Sequence, residues 1–109
     1  MISWEDFEKI DIRCGTVIDV KDFPNAKKPA YRLTIDFGSE GIKQSSAQIR
    51  HHYVKEELLN KQVVAVVNFP AKQIANFFSE CLVLGIYDQN DNVILLQPER
   101  RVANGMKVG

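Results

Sequence analysis

The chain has 109 residues, which is room for a single domain spanning 1–109 around one hydrophobic core rather than two. Its 14 lysines and arginines cancel 14 aspartates and glutamates, so no global charge draws it to a polyanion and any such attraction has to come from a local cluster. No apolar run reaches the roughly 20 residues of a membrane-spanning helix. MISWEDFEKI also lacks the basic start and apolar stretch of a secretory signal, so a cytoplasmic protein without membrane insertion is expected.

In chain order, SWEDFEKI opens with Ser3 and Asp6 at the spacing of a capping box and predicts a short helix with Trp4 and Phe7 on one face. Ile10 to Val20 reads as a strand. YRLTIDFG alternates, with Leu33, Ile35 and Phe37 inward and Arg32, Thr34 and Asp36 outward, as in a half-buried strand. GSEG is a turn into IKQSSAQI, which makes a hairpin with its predecessor. HHYVKEELLNK has helical composition, with Val54, Leu58 and Leu59 at helical spacing. QVVAVVNF and CLVLGIYD are short, β-branched and apolar, as buried strands are, and QNDN turns the second of them into NVILLQP. FPAKQIANFF, between them, reads as a loop.

Five or six short strands are best protected at their edges by a closed barrel. The expected class is therefore all-β with short helices: a five-stranded OB-fold barrel with a helix between the third and fourth strands.

Motifs for catalysis are missing. HExxH, GxSxG and the P-loop are absent, and His51 and His52 are adjacent, which points them apart on a helix or a strand. Cys14 and Cys81 lie apart in apolar surroundings, without CxxC spacing, as buried reduced thiols do. The expectation is a protein that is not an enzyme and holds no metal. Local positive charge exists in Lys27, Lys28, Arg32, Lys43, Arg50 and Lys55, which form either a phosphate track or part of a mixed solvated surface. Phe23, Tyr31 and Phe69 are either stacking platforms for bases or ordinary packing residues.

The segments WEDFEKIDIRCGTVIDV, FPNAKKPAYRLTIDFG, HHYVKEELLNKQVVAVVNF and ERRVANGMKVG, in that order, resemble the tRNA-binding domain family. This family is found at the carboxy terminus of bacterial methionyl-tRNA synthetases and as free-standing proteins. The resemblance implies an OB-fold with extra terminal elements, a homodimer, no cofactor and no catalysis. It places Asn68 at the asparagine that ends the fourth strand and Ser79 at the serine of a Ser-x-Gly-Met motif, with Lys27, Lys28, Arg32, Asn68, Lys72 and Ser79 as the nucleic-acid-binding residues. The chain departs from the pattern with Phe23 and Pro29 around the Pro24-Asn25-Ala26 motif, Ala75 and Asn76 for a basic-glycine pair, and Cys81 and Leu82 for the glycine and methionine.

PAKQIANFFSECLVLG is similar instead to the export-related chaperone members. That similarity implies unfolded preproteins and the SecA translocation motor as partners, held without ATP in a groove of Phe69, Ile74, Phe77 and Phe78 with Lys72, Gln73 and Glu80 at the rim. An isologous dimer interface is the other destination for the two phenylalanines, and at least one of them is expected there, with Trp4 nearby.

Overall fold

The computed structural model describes residues 1–24 and 26–109, so Asn25 of the Pro24-Asn25-Ala26 motif lies outside the described residues. Helix α1 (Trp4–Glu8) begins at a complete capping box: the Asp6 amide donates to Ser3 Oγ at 3.1 Å, and the Ser3 amide donates to Asp6 Oδ2 at 3.0 Å. Strand β1 (Ile12–Asp22) follows, then β2 (Tyr31–Asp36), a 3₁₀ turn (Gly38–Glu40) and β3 (Ile42–Ala47). A one-turn helix α2 (Lys55–Leu58) leads to β4 (Gln62–Val66). The remaining strands are short: β5 (Lys72–Ile74), β6 (Phe77–Ser79), β7 (Leu82–Val83), β8 (Gly85–Tyr87) and β9 (Val93–Leu95).

The main sheet has five antiparallel strands in the order β3-β2-β1-β4-β7. β1 can serve two neighbours because it is long and bent: its register with β2 shifts between Val17 and Asp19, a bulge that increases curvature. Gly15 lets the bend close, since a Cβ there would sit 2.7 Å from Ile35 Cγ2 and from Phe37 Cδ1.

The sheet then curls until β3 meets the far edge. Here the Glu80 amide donates to the Gln44 carbonyl at 2.8 Å, the Gln44 amide to Glu80 Oε1 at 2.9 Å, and Ser45 Oγ to the Cys81 carbonyl at 3.1 Å. β6 beside β3 and β7 beside β4 thus occupy one barrel position in two pieces, stepping at Glu80 and Cys81. This is the nearly closed five-stranded OB-fold barrel, with its helix after the third strand.

The core follows the predicted alternation: Leu33, Ile35 and Phe37 of the second strand segment are fully buried with Val17, Leu58 and Val63. Two sequence expectations change. The helix in HHYVKEELLNK shrinks to four residues, and only Leu58 enters the core; Val54 and Leu59 are half-exposed. CLVLGIYD is not one strand, because the chain leaves β4 after Val83 and starts a separate hairpin, β8–β9, with Ile86 opposite Ile94.

Candidate functional site

The stretch expected to be a loop is a second hairpin. β5 pairs with β6 through Lys72 opposite Ser79, Gln73 opposite Phe78 and Ile74 opposite Phe77, around the two-residue turn Ala75-Asn76. Ala75 has φ +55°, and Asn76 is not in the left-handed region, a sign pattern that fits a type II′ rather than a type I′ connection. Strand periodicity then sorts the side chains: Lys72, Ile74, Phe77 and Ser79 share one face, and Gln73 and Phe78 take the other.

The face carrying Phe77 folds onto the barrel. Phe77 is buried inside its own subunit, its ring edge-on to Phe23 with centroids 5.3 Å apart and Ile74 and Ala30 against the pair. Arg32 covers this small cluster, its guanidinium carbon 4.7 Å from the Phe77 ring centre and 5.7 Å from that of Phe23. Its Nε is buried and unbonded among the described residues. Arg32, a candidate nucleic-acid contact, thus has its planar face committed to protein. Phe77 needs no partner subunit to be buried, while Phe78 remains 55% exposed on the opposite face.

Beside this hairpin a groove of about 570 Å³ follows the seam between β3 and the β5–β7 segment. One wall is Ser46, Ala47, Gln48 and Ile49, and the other is Phe69, Lys72, Ile74 and Ser79. Leu82, Val83 and Val93 contribute apolar surface, and Tyr87 and Asp91 come from the β8–β9 hairpin. Of the predicted groove phenylalanines and isoleucine, the structure brings Phe69 and Ile74 to it, whereas Phe77 lies in the cluster beneath Arg32 and Phe78 faces away. Gln48, Leu82, Tyr87 and Asp91 were missed, because only the seam brings them together.

Two residues matched to the family pattern serve the fold. Asn68 accepts from the Asp11 amide at 3.0 Å and donates to the Lys9 carbonyl at 2.7 Å, which ties the segment after α1 to the end of β4. Ser79 Oγ accepts from the Ser46 amide at 3.2 Å and donates to the Cys81 carbonyl at 3.3 Å, which fastens β6 to β3. Lys27, Lys28 and Lys72 are exposed, and none makes an ion pair among the described residues. Arg50 and Lys55, two members of the predicted positive stripe, both bind Asp22, at 3.3 and 3.1 Å.

Burial pushes the Cys81 thiol up to about 12, with the neighbouring Glu80 charge adding to the rise, so it is a neutral packing group. Asp88 lies below the usual carboxylate range because His52 hydrogen-bonds it at 2.7 Å and the Asn92 and Asn90 amides donate to it. Among the described residues no three side chains of metal-ligating type gather, and no helix is long and apolar enough to cross a membrane.

Residues 12–107 match the family described as "Putative tRNA binding domain". The chain belongs to the tRNA-binding domain family. Similar solved structures include chaperone CsaA from Bacillus anthracis (50% identity, TM-score 0.95, all of this chain and 99% of that one). Another is the CsaA chaperone of Picrophilus torridus (54% identity, TM-score 0.94, all of both chains). The methionine–tRNA ligase of Pyrococcus horikoshii is 40% identical over 107 residues, 98% of this chain but only 14% of that enzyme, so the family domain is the part they share.

Proposed function

We infer that the protein is an ATP-independent chaperone that holds non-native polypeptide in the seam groove, acting as a cytoplasmic homodimer on preproteins bound for SecA-driven export. The observation that carries this reading is the groove itself: Phe69 is 55% and Leu82 49% exposed beside it, with Ile74, Val83 and Val93 part-buried along it. Apolar concavities rimmed by polar groups are where soluble proteins bind partners. Whole-length likeness to two CsaA chaperones supports the same choice. Phe69→Asp should abolish suppression of aggregation of a chemically denatured client while leaving the melting temperature within a few degrees, since the side chain is half-exposed. Unchanged suppression by this variant would count against the groove.

Family membership and the exposed ammonium groups of Lys27 and Lys28, which make no ion pair among the described residues, favour a second reading, tRNA binding. Contacts to phosphates lower log affinity by roughly 0.7 to 0.9 per neutralised phosphate for each tenfold rise in salt, whereas capture of apolar peptide is nearly flat. A steep salt slope for tRNA that falls by about two phosphates' worth in the Lys27→Glu, Lys28→Glu double variant supports tRNA as a ligand. Flat or absent tRNA binding removes it.

A further inference from the structure

The wall of the groove formed by β3 is an unfinished sheet edge. Gln44 and Ser46 point their main-chain groups away from β2, as the bonds of Gln44 to Glu80 and of the Ser46 amide to Ser79 Oγ show. β2 therefore pairs with Ser45 and Ala47, and the outward set continues at Gln48. Along this outward edge the partners run out: the Ser46 carbonyl receives only the neighbouring Ser45 hydroxyl, at 3.2 Å, and Gln48 makes no hydrogen bond through its amide or carbonyl among the described residues.

We propose that an extended polypeptide segment completes this edge, adding a strand along Ser46–Gln48 while its alternate side chains enter the apolar seam between Ile74, Leu82 and Val93. This rests on the polypeptide-binding reading above and specifies how that site works. Three consecutive main-chain groups, the Ser46 carbonyl and the Gln48 amide and carbonyl, give an incoming chain the ladder that sequence-independent capture requires, and side-chain pockets at every second residue supply the selectivity.

Charge favours polypeptide over nucleic acid at this place. The groove carries one cation, Lys72, and one anion, Asp91, with no ion-pair partner for either among the described residues. A phosphodiester chain gains one contact there and meets one repulsion. A polypeptide of zero net charge with an acidic residue towards Lys72 and a basic one towards Asp91 satisfies both.

The test uses the full-length protein and an end-blocked, fluorescein-labelled heptapeptide alternating valine with threonine, followed by anisotropy. In one series the odd amides carry N-methyl groups, and in the other the even amides do. Strand addition predicts that methylating one parity weakens binding about tenfold or more, since a ladder bond is lost and a methyl intrudes, while the other parity changes it less than twofold. Gln48→Pro, at an exposed edge position where proline is tolerated, should cause a similar loss with an unchanged melting temperature. Equal sensitivity of the two parities, with Gln48→Pro binding normally, overturns strand addition and leaves the groove reading standing. Failure of the unmethylated peptide to bind overturns both.

Discussion

Phe77 and Phe78 are neighbours with opposite fates. Strand geometry sends Phe77 under Arg32 and against Phe23, and turns Phe78 to solvent. Phe77→Ala should cost about 3 kcal/mol in urea unfolding, the usual cost of emptying a buried aromatic site, and Phe78→Ala within about 0.5 kcal/mol. Equal costs for the two would contradict the assignment of faces. Cys81 gives a second residue-scale prediction. The folded thiol holds its proton up to about 12, while an unfolded cysteine loses it near about 8.5. The unfolded state therefore binds fewer protons between these values, and stability, complete below the lower one, is lost as pH rises towards the upper. Cys81→Ala should flatten this alkaline limb, by up to about 1.4 kcal/mol per pH unit relative to the parent, read from denaturant midpoints at pH 8 and pH 10.5. A parallel pH dependence in the two proteins would show that other groups set the limb.

Short elements were harder to read than long ones. The alternation Leu33, Ile35, Phe37 spelled out β2 because a half-buried strand leaves a period of two in sequence. The β5–β6 hairpin left no such mark, for it has three residues a side and its turn is Ala75-Asn76 instead of the glycine-bearing pair that signals a tight hairpin. The groove was half legible for the same reason: Phe69 and Ile74 stand out as apolar residues, but Gln48 and Asp91 acquire meaning only through chain crossings distant in sequence. Ala75, at φ +55°, holds a conformation that costs an L-residue energy and costs glycine none. Ala75→Gly should therefore raise stability by about 0.5 to 1 kcal/mol net of the added freedom of the unfolded chain, seen as a rise of several degrees in melting temperature. A fall would mean that the methyl group packs. The carboxy-terminal segment is fastened more strongly. Gln62 accepts from the Val102 amide at 3.1 Å and donates to the Val102 carbonyl at 2.8 Å, and Thr16 Oγ1 donates to Asn104 Oδ1 at 2.6 Å. Gln62→Leu should cost about 1 to 2 kcal/mol by removing both bonds to Val102, with faster proteolysis after Arg100 or Arg101 as a second readout.

At the scale of the molecule, the barrel accounts for the core but leaves one surface unexplained. Ile2 and Trp4 are 75% and 85% exposed, and together with Phe7 and Gly109 they line a concavity of about 550 Å³. The chain ends are held together here: the Val108 amide donates to the Ile12 carbonyl at 2.8 Å, and the Cys14 amide to the Met106 carbonyl at 3.0 Å. Five residues of helix do not persist in water on propensity alone, and α1 buries none of its side chains in the single subunit. A second copy applying the same patch in isologous fashion would bury Trp4 and stabilise α1 by tertiary packing, which is the interface the proposed homodimer needs. Sedimentation of the parent should then give a dimer at micromolar concentration, with a melting temperature that rises with protein concentration. Trp4→Glu would place a charge in that interface and should yield a monomer whose melting is lower and independent of concentration, and the far-ultraviolet helical signal should decline as α1 frays. Each isolated barrel still carries its whole seam groove, so the variant should bind the valine–threonine peptide with unchanged affinity per chain while protecting large clients less well, because only the dimer offers two linked sites to one polypeptide. A parent that sediments as a monomer, or a Trp4→Glu variant that stays dimeric, would move the interface away from this patch.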